Sequence, residues 1–211
     1  MDSAWCTVLD DITRKNWERV ALTFDLWSSS GQEKRWNPFK RILFSNMGNQ
    51  KVLFVALGTG LDVACFPDDR SITAIDISQK MLDKAKVRTD AYTGDLRVLQ
   101  ADVHDMPFDE SQFDQVFTSC TFCSVPDPIG GLRALRRVLK PGGELFMFEH
   151  TGSRFFPFKI MMDLMTVVSR RFGPEMNRPT VDNVVKAGYR LKKVTPVYLD
   201  VVKTIHAVST K

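Results

Sequence analysis

Two short apolar runs constrain this chain more than anything else in it. Val52 to Gly60 reads Val-Leu-Phe-Val-Ala-Leu-Gly-Thr-Gly. Thr73 to Ser78 reads Thr-Ala-Ile-Asp-Ile-Ser, and its carboxylate, Asp76, falls sixteen residues after Gly60. The first run has the pattern of a strand buried on both faces that opens into a tight loop. The second reads as the neighbouring strand, with an acidic residue where it meets solvent. In a doubly wound α/β sheet this pairing makes a nucleoside site. Glycine lets the backbone approach the ligand, and a carboxylate accepts hydrogen bonds from ribose hydroxyls.

Composition narrows the class without adding chemistry. The 211 residues fit one domain with a sizeable core, so residues 1–211 are expected to form a single unit. With 44% hydrophobic and 26% charged residues the chain reads as globular. No apolar run reaches spanning length, and Met1-Asp2-Ser3 does not open a secretory signal; the expected location is cytoplasmic. A net charge of +4 is too mild and diffuse to imply nucleic acid. Cys6, Cys65, Cys120 and Cys123 lack zinc spacing, so no metal site is expected. Cys120 and Cys123 follow a strand-like run rather than opening a redox helix, which favours reduced, partly buried thiols.

Along the chain, strand-like and helix-like stretches alternate. Trp17, Val20, Ala21, Phe24 and Trp27 recur at helical steps, predicting one amphipathic helix from Ile12 to Trp27 that the Ser28–Gly31 cluster ends. A second short helix is expected over Trp36 to Phe44, so that residues 1–48 form an N-terminal helical cap. Strands are expected at Lys51–Leu57, Ser71–Asp76, Arg97–Ala101, Phe113–Cys120 and Glu144–Phe148. Between them lie helices at Gln79–Val87, capped by Ser78, and at Pro128–Leu139, stopped by Lys140-Pro141-Gly142-Gly143. A last helix opens at Pro179-Thr180 and closes at Gly188, before two strands joined near Pro196. This order implies βαβ units and a parallel sheet.

Gly58-Thr59-Gly60 alone could be an ordinary strand-to-helix turn. It gains meaning from four companions: Asp76, Asp102, the Pro107-Phe108 turn before Phe113-Asp114, and Leu139-Lys140-Pro141-Gly142-Gly143. Together these resemble the class I S-adenosylmethionine-dependent methyltransferases, in the branch of ubiquinone/menaquinone C-methyltransferases and phospholipid N-methyltransferases. The resemblance is strong over Val52 to His150 and looser over Asn177 to Gly188. It implies a Rossmann-like, seven-stranded α/β fold in the order 3-2-1-4-5-7-6, its last strand antiparallel, with helices on both faces. It also implies S-adenosyl-L-methionine as cofactor. Ala56, Gly58, Thr59 and Gly60 would pass close to its methionine and ribose, and Asp76 would accept from both ribose hydroxyls. Ile77 would pack on the adenine, Asp102 would accept from the adenine amino group, and Val103 would offer its N–H. Thr118 to Thr121, with Ser119 among them, would line the sulfonium end. For Asp76 and Asp102 the alternative is ordinary charge at a helix start or a strand end.

The chain also departs from the family pattern. The usual acid of the first motif is Phe54 and its first glycine is Ala56, a mild change only if φ there is negative. Asp62 could supply a replacement charge, and Phe24-Asp25 stands where relatives often carry Tyr-Asp. These departures keep a second reading open, a catalytically silent fold acting as a binding or regulatory partner. A nicotinamide-dependent reductase is disfavoured, because no third glycine follows Gly60.

For catalysis, His150 is the expected base, since its ordinary pKa suits proton removal near neutrality; a structural histidine is the alternative. Glu149 is a weaker candidate, and His104 reads as a surface residue. Residues 151–178 read as a helical lid. Within it, 154–173 is rich in Phe and Met, with Arg154, Lys159, Arg170 and Arg171 against a single acid, Asp163. That stretch either caps the site or touches lipid at a membrane periphery. With Trp17, Phe24 and Trp27 as the other wall, a small hydrophobic or lipid-like acceptor is expected: a quinol, a phospholipid amine, or an apolar thiol or amine.

Overall fold

A computed structural model describes residues 3–28, 32–169 and 174–211. Its centre is a seven-stranded sheet, β1 (Val52–Val55), β2 (Ser71–Asp76), β3 (Asp95–Gln100), β4 (Phe113–Ser119), β5 (Leu139–His150), β6 (Tyr189–Tyr198) and β7 (Val202–Ser209). The order is β3-β2-β1-β4-β5-β7-β6, as expected. β1 to β5 run parallel, and β7 is antiparallel to both β5 and β6. The order reverses between β1 and β4. Ligands enter such sheets at that crevice, outside the carboxyl ends of the strands.

Alternation along β1 builds two cores from one strand. Val52 and Phe54 face one layer, with Phe44, Phe66, Phe117 and Met162. Leu53 and Val55 face the other, with Leu132, Leu135, Val138 and Val184. The helices are α1 (Ser3–Val20), α2 (Phe24–Ser28), α3 (Gln32–Phe44), α4 (Gln79–Asp90), α5 (Pro128–Val138), α6 (Phe158–Ser169) and α7 (Thr180–Lys186). α3, α4 and α6 contribute to the first layer, and α5 and α7 to the second.

Several elements differ from expectation for local reasons. The first helix is two: α1 ends at Val20 and α2 starts at Phe24, with Thr23 N–H and Oγ1 both donating to the Val20 carbonyl. Ser28 belongs to α2, and residues 29–31 of the expected stop lie outside the described ones, as does the Trp27 side chain. No α-helix follows β1; the crossover to β2 holds only a 3-10 turn, Leu61–Cys65. β3 begins at Asp95 and stops at Gln100, one residue before the expected end. Ser78 does cap α4, accepting from Met81 N–H at 3.3 Å, and the helix runs on to Asp90. β5 is longer than expected because Leu139 already pairs with Phe113. Lys140 to Gly143 then bulge out, and regular pairing resumes at Glu144. β6 runs through Pro196 to Tyr198, so the turn lies at 199–201.

The loop after β1 reverses through three left-handed residues, Ala56 (φ 62), Gly58 (φ 60) and Gly60 (φ 79). At Gly60 an added Cβ would meet that of Ala85 at 3.2 Å. At Ala56 the condition for a mild change fails: its methyl group is carried in a conformation that disfavours any Cβ. Ala56→Gly is therefore expected to raise stability by about 1 kcal/mol, the left-handed penalty less the extra chain entropy of glycine. Equilibrium urea unfolding measures this.

Candidate active site

The carboxyl ends of β1, β2, β4 and β5 open onto one cavity of about 370 Å³. Ala56, Gly58, Thr59, Asp76, Ile77, Asp102, Val103, Ser119 and His150 all line it. Gly60 does not; it turns the chain and packs against α4. Thr118 is absent from the wall as well, because its hydroxyl is buried and donates to Glu149 Oε1 at 2.7 Å. Trp17 and Phe24 line the opposite side, their rings edge-on at 6.0 Å.

Asp76 organises the floor. Its Oδ2 accepts from Gly58 N–H at 2.8 Å and its Oδ1 from Ser78 N–H at 2.9 Å. The carboxylate thus fixes both the glycine loop and the start of α4. Burial raises its pKa above the ordinary 3.8, opposed by these two bonds. A carboxylate offers about four acceptor positions, so two remain. Asp102 sits at the next strand end and accepts from His104 N–H at 2.8 Å. Ile77 and Val103 add apolar surface near these two acids.

The departure at Phe54 is resolved by packing. Phe54 is fully buried, 4.9 Å from the Phe66 ring and 5.6 Å from Phe44. Its strand register turns it into the core rather than toward the cavity. Asp62 does reach the cavity wall, in an ion pair with Lys40 at 2.6 Å. Lys40 also lies 5.5 Å above the Phe148 ring.

The two N-terminal helices are tied to the loops by charge. Asp25 on α2 accepts from Thr59 Oγ1 at 2.6 Å and from Arg88 at 2.9 Å, while Arg88 also donates to the Thr59 carbonyl at 2.7 Å. Burial works to raise the Asp25 carboxyl, but Thr59 and Arg88 hold it below its ordinary value. Asp10 on α1 lies 3.0 Å from His104 Nδ1, and the Asp127 carbonyl lies 2.9 Å from Nε2. His104 is therefore a half-buried clasp and not the expected surface residue. The sequence offered only Phe24-Asp25 as a hint of these ties; partners 34 or 94 positions away leave no local signature.

At the far end, His150 Nδ1 is buried and, among the described residues, has no hydrogen-bond partner. Ser119 Oγ is in the same condition. Burial pushes the His150 imidazole below its ordinary 6.5, against a backbone contact at Met176 that raises it. The ring is therefore neutral at pH 7. Glu149 faces away from the cavity wall, with Oε1 accepting from Thr118 and from Thr121 N–H and Oε2 from Phe122 N–H. Burial pushes its carboxyl up to about 7, and its work is to hold the loop after β4. In that loop Cys120 takes a left-handed φ of 52 and faces the cavity. Burial raises the Cys123 thiol to about 12, so it stays protonated, while Cys120 is exposed.

Of the expected lid, residues 151–178, two described members, Pro174 and Met176, reach the cavity. Both lie after α6, none of whose described residues lines the wall. Arg170 and Arg171 lie outside the described residues.

Residues 53–147 match the family described as "Methyltransferase domain". That stretch is similar to a methyltransferase domain. Over 137 residues the chain is 35% identical to the ubiquinone/menaquinone biosynthesis C-methyltransferase UbiE of Geotalea daltonii, covering 62% of this chain and 58% of the relative. The chain thus spans about three fifths of the length of the curated relatives it matches. Its fold is that of a SAM-dependent methyltransferase from Thermotoga maritima, with a TM-score of 0.69 over 94% of this chain and all of that one, at 16% identity. The cyclase SpnF shares the fold too, with a TM-score of 0.64, 17% identity and coverage of 83% and 80%. The fold alone therefore does not fix the reaction.

Two predictions follow from this geometry. Phe54→Asp would return the family's acid to its usual place but bury it among Phe44, Phe66 and Phe117, and is expected to destabilise the protein by several kcal/mol. Thermal unfolding checks it. For His104, burial opposes the charge, but Asp102, Asp127 and Asp10 push its pKa up to about 9 from 6.5. Proton binding to His104 thus favours the fold fully below about pH 6.5 and ceases to do so above about 9. The stability gap between the natural chain and His104→Gln should shrink across that window in a pH series of urea unfolding.

Proposed function

We propose that the protein transfers a methyl group from S-adenosyl-L-methionine to an apolar acceptor. A quinol ring carbon is the leading acceptor; a phospholipid amine and an apolar thiol or amine come after it. One observation carries the reading. One cavity joins two strand-end carboxylates, Asp76 and Asp102, to a buried imidazole nitrogen on His150 that has no hydrogen-bond partner among the described residues. The UbiE name of the relative supports the quinol class.

The residues fit the cofactor. Asp76 keeps acceptor capacity for ribose hydroxyls beyond its two backbone bonds. Ile77 and Val103 would flank the adenine, with Asp102 accepting from its amino group. Ala56, Gly58 and Thr59 would follow the methionine chain, and Ser119 brings an unused hydroxyl toward the sulfur end. When bound, the cofactor supplies an electrophilic methyl group on a positively charged sulfur.

The chain's own part is alignment, exclusion of water and proton removal. Trp17, Phe24 and Met176 keep the acceptor side apolar. As a ring carbon exchanges hydrogen for methyl, one proton is released, and neutral His150 takes it up at Nδ1. An acceptor of this kind partitions into lipid, so the reading includes work at a membrane periphery. Among the described residues no helix is long and apolar enough to cross a membrane.

Titration calorimetry with S-adenosylmethionine and S-adenosylhomocysteine tests the reading. Binding should weaken about a hundredfold in Asp76→Ala, which loses charge-assisted bonds to the ribose. His150→Ala should keep cofactor affinity while turnover of a demethylated quinol falls about 10²–10⁴-fold. In the natural chain turnover should decline on acidification below 6.5, as the imidazole takes a proton. A folded protein that binds neither compound would instead support a silent fold acting as a partner.

A further inference from the structure

The sign of the charge changes along the cavity. At the tips of β2 and β3 the wall carries Asp76 and Asp102, and Asp10 of α1 reaches the same His104 that contacts Asp102. Toward β5 the wall carries an ion pair instead, Lys40 with Asp62 at 2.6 Å. Its ammonium lies 5.5 Å above the ring of Phe148 on that strand. Among the described residues Lys40 is the only lysine or arginine in the cavity wall.

A structural tie between α3 and the 3-10 turn does not need these charges. Lys40 and Asp62 are buried, at 3% and 9% exposure, and removing two charges from water is unfavourable. Apolar side chains of similar volume would join the two elements at least as well. Hydrocarbon already joins them nearby, where the rings of Phe44 and Phe66 meet edge-on at 5.5 Å. An ammonium has three donors and a carboxylate about four acceptor positions, so one shared bond saturates neither group. The pair thus presents a cation and an anion side by side at the cavity wall.

We propose that Lys40 and Asp62 form the subsite for the α-amino acid end of S-adenosylmethionine, Lys40 pairing with its carboxylate and Asp62 accepting from its ammonium. The inference rests on the methyltransferase reading and deepens it. One end of the cofactor offers neutral donors, the ribose hydroxyls and the adenine amino group. The other end is a zwitterion. Acids alone suit the first end, whereas a carboxylate set among Asp10, Asp76 and Asp102 would be repelled. The zwitterion matches the ion pair charge for charge, and four charges of alternating sign add no net charge to the wall. The order of charges therefore sets the cofactor's direction along the strand tips.

Calorimetry on the full chain with S-adenosylhomocysteine and methylthioadenosine tests the subsite. The second compound keeps the nucleoside and the thioether but lacks the amino acid. The natural chain should bind S-adenosylhomocysteine about a hundredfold more tightly, through charge-assisted bonds to that end. In Lys40→Met the advantage should fall below about fivefold while methylthioadenosine binds as before, which also reports a folded protein. Lys40→Met leaves Asp62 buried without its partner, so Lys40→Met with Asp62→Asn repeats the measurement in a neutral wall. An advantage that persists in either variant, or a loss shared equally by both compounds, overturns the proposal. If the natural chain binds the two compounds alike, the subsite fails and the nucleoside site stands. If it binds neither, the methyltransferase reading fails with it.

Discussion

Everything at the strand tips depends on one carboxylate accepting from two backbone N–H groups. Asp76 joins Gly58, in the loop after β1, to Ser78, which caps α4. That bridge works with the Asp25 and Arg88 contacts to Thr59 to hold a loop that passes through left-handed backbone at three residues. With it, the loop is fixed relative to the sheet at the point where the strand order reverses. The ligand-facing geometry is thus set by the same group that is proposed to hold the sugar. Fold and site share an anchor, and neither can be altered there alone.

The replacement of an acid by Phe54 illustrates how a family pattern can be rewritten without disturbing the sheet. β1 alternates faces, and the side chain at 54 points to the layer filled by Phe44, Phe66 and Phe117. An aromatic ring there strengthens the core. Charge has meanwhile collected in the 3-10 turn, where Asp62 meets Lys40 at the cavity wall. Removing two charges from water is unfavourable, and close pairing offsets much of it.

Much of the architecture was legible because it follows from period and punctuation. The apolar runs of β1 and β2, the Ser78 cap and the alternation in β4 belong to residues adjacent in sequence. So was most of the cavity lining, since the carboxyl ends of parallel strands meet at one edge whatever their separation. What escaped were features that distance creates. The Asp25–Thr59–Arg88 and Asp10–His104 ties join elements whose proximity only the folded chain defines. The sequence left α6 between two readings, a cap on the site or a contact with lipid, because an apolar stretch says that something covers it but not whether protein or another phase does so. The sign of φ at Ala56 was likewise invisible, as alanine gives no warning of left-handed backbone.

The front of the cavity is fastened differently from its back. Strand ends form the rear wall through ladder bonds and buried hydrocarbon, whereas α1 and α2 are fastened at Asp10 and Asp25 by ionic contacts to His104 and Arg88. Hydrocarbon contacts release only when the core opens, but ionic ones weaken with added electrolyte. The two walls of the cavity therefore answer differently to salt, the front one being the more sensitive.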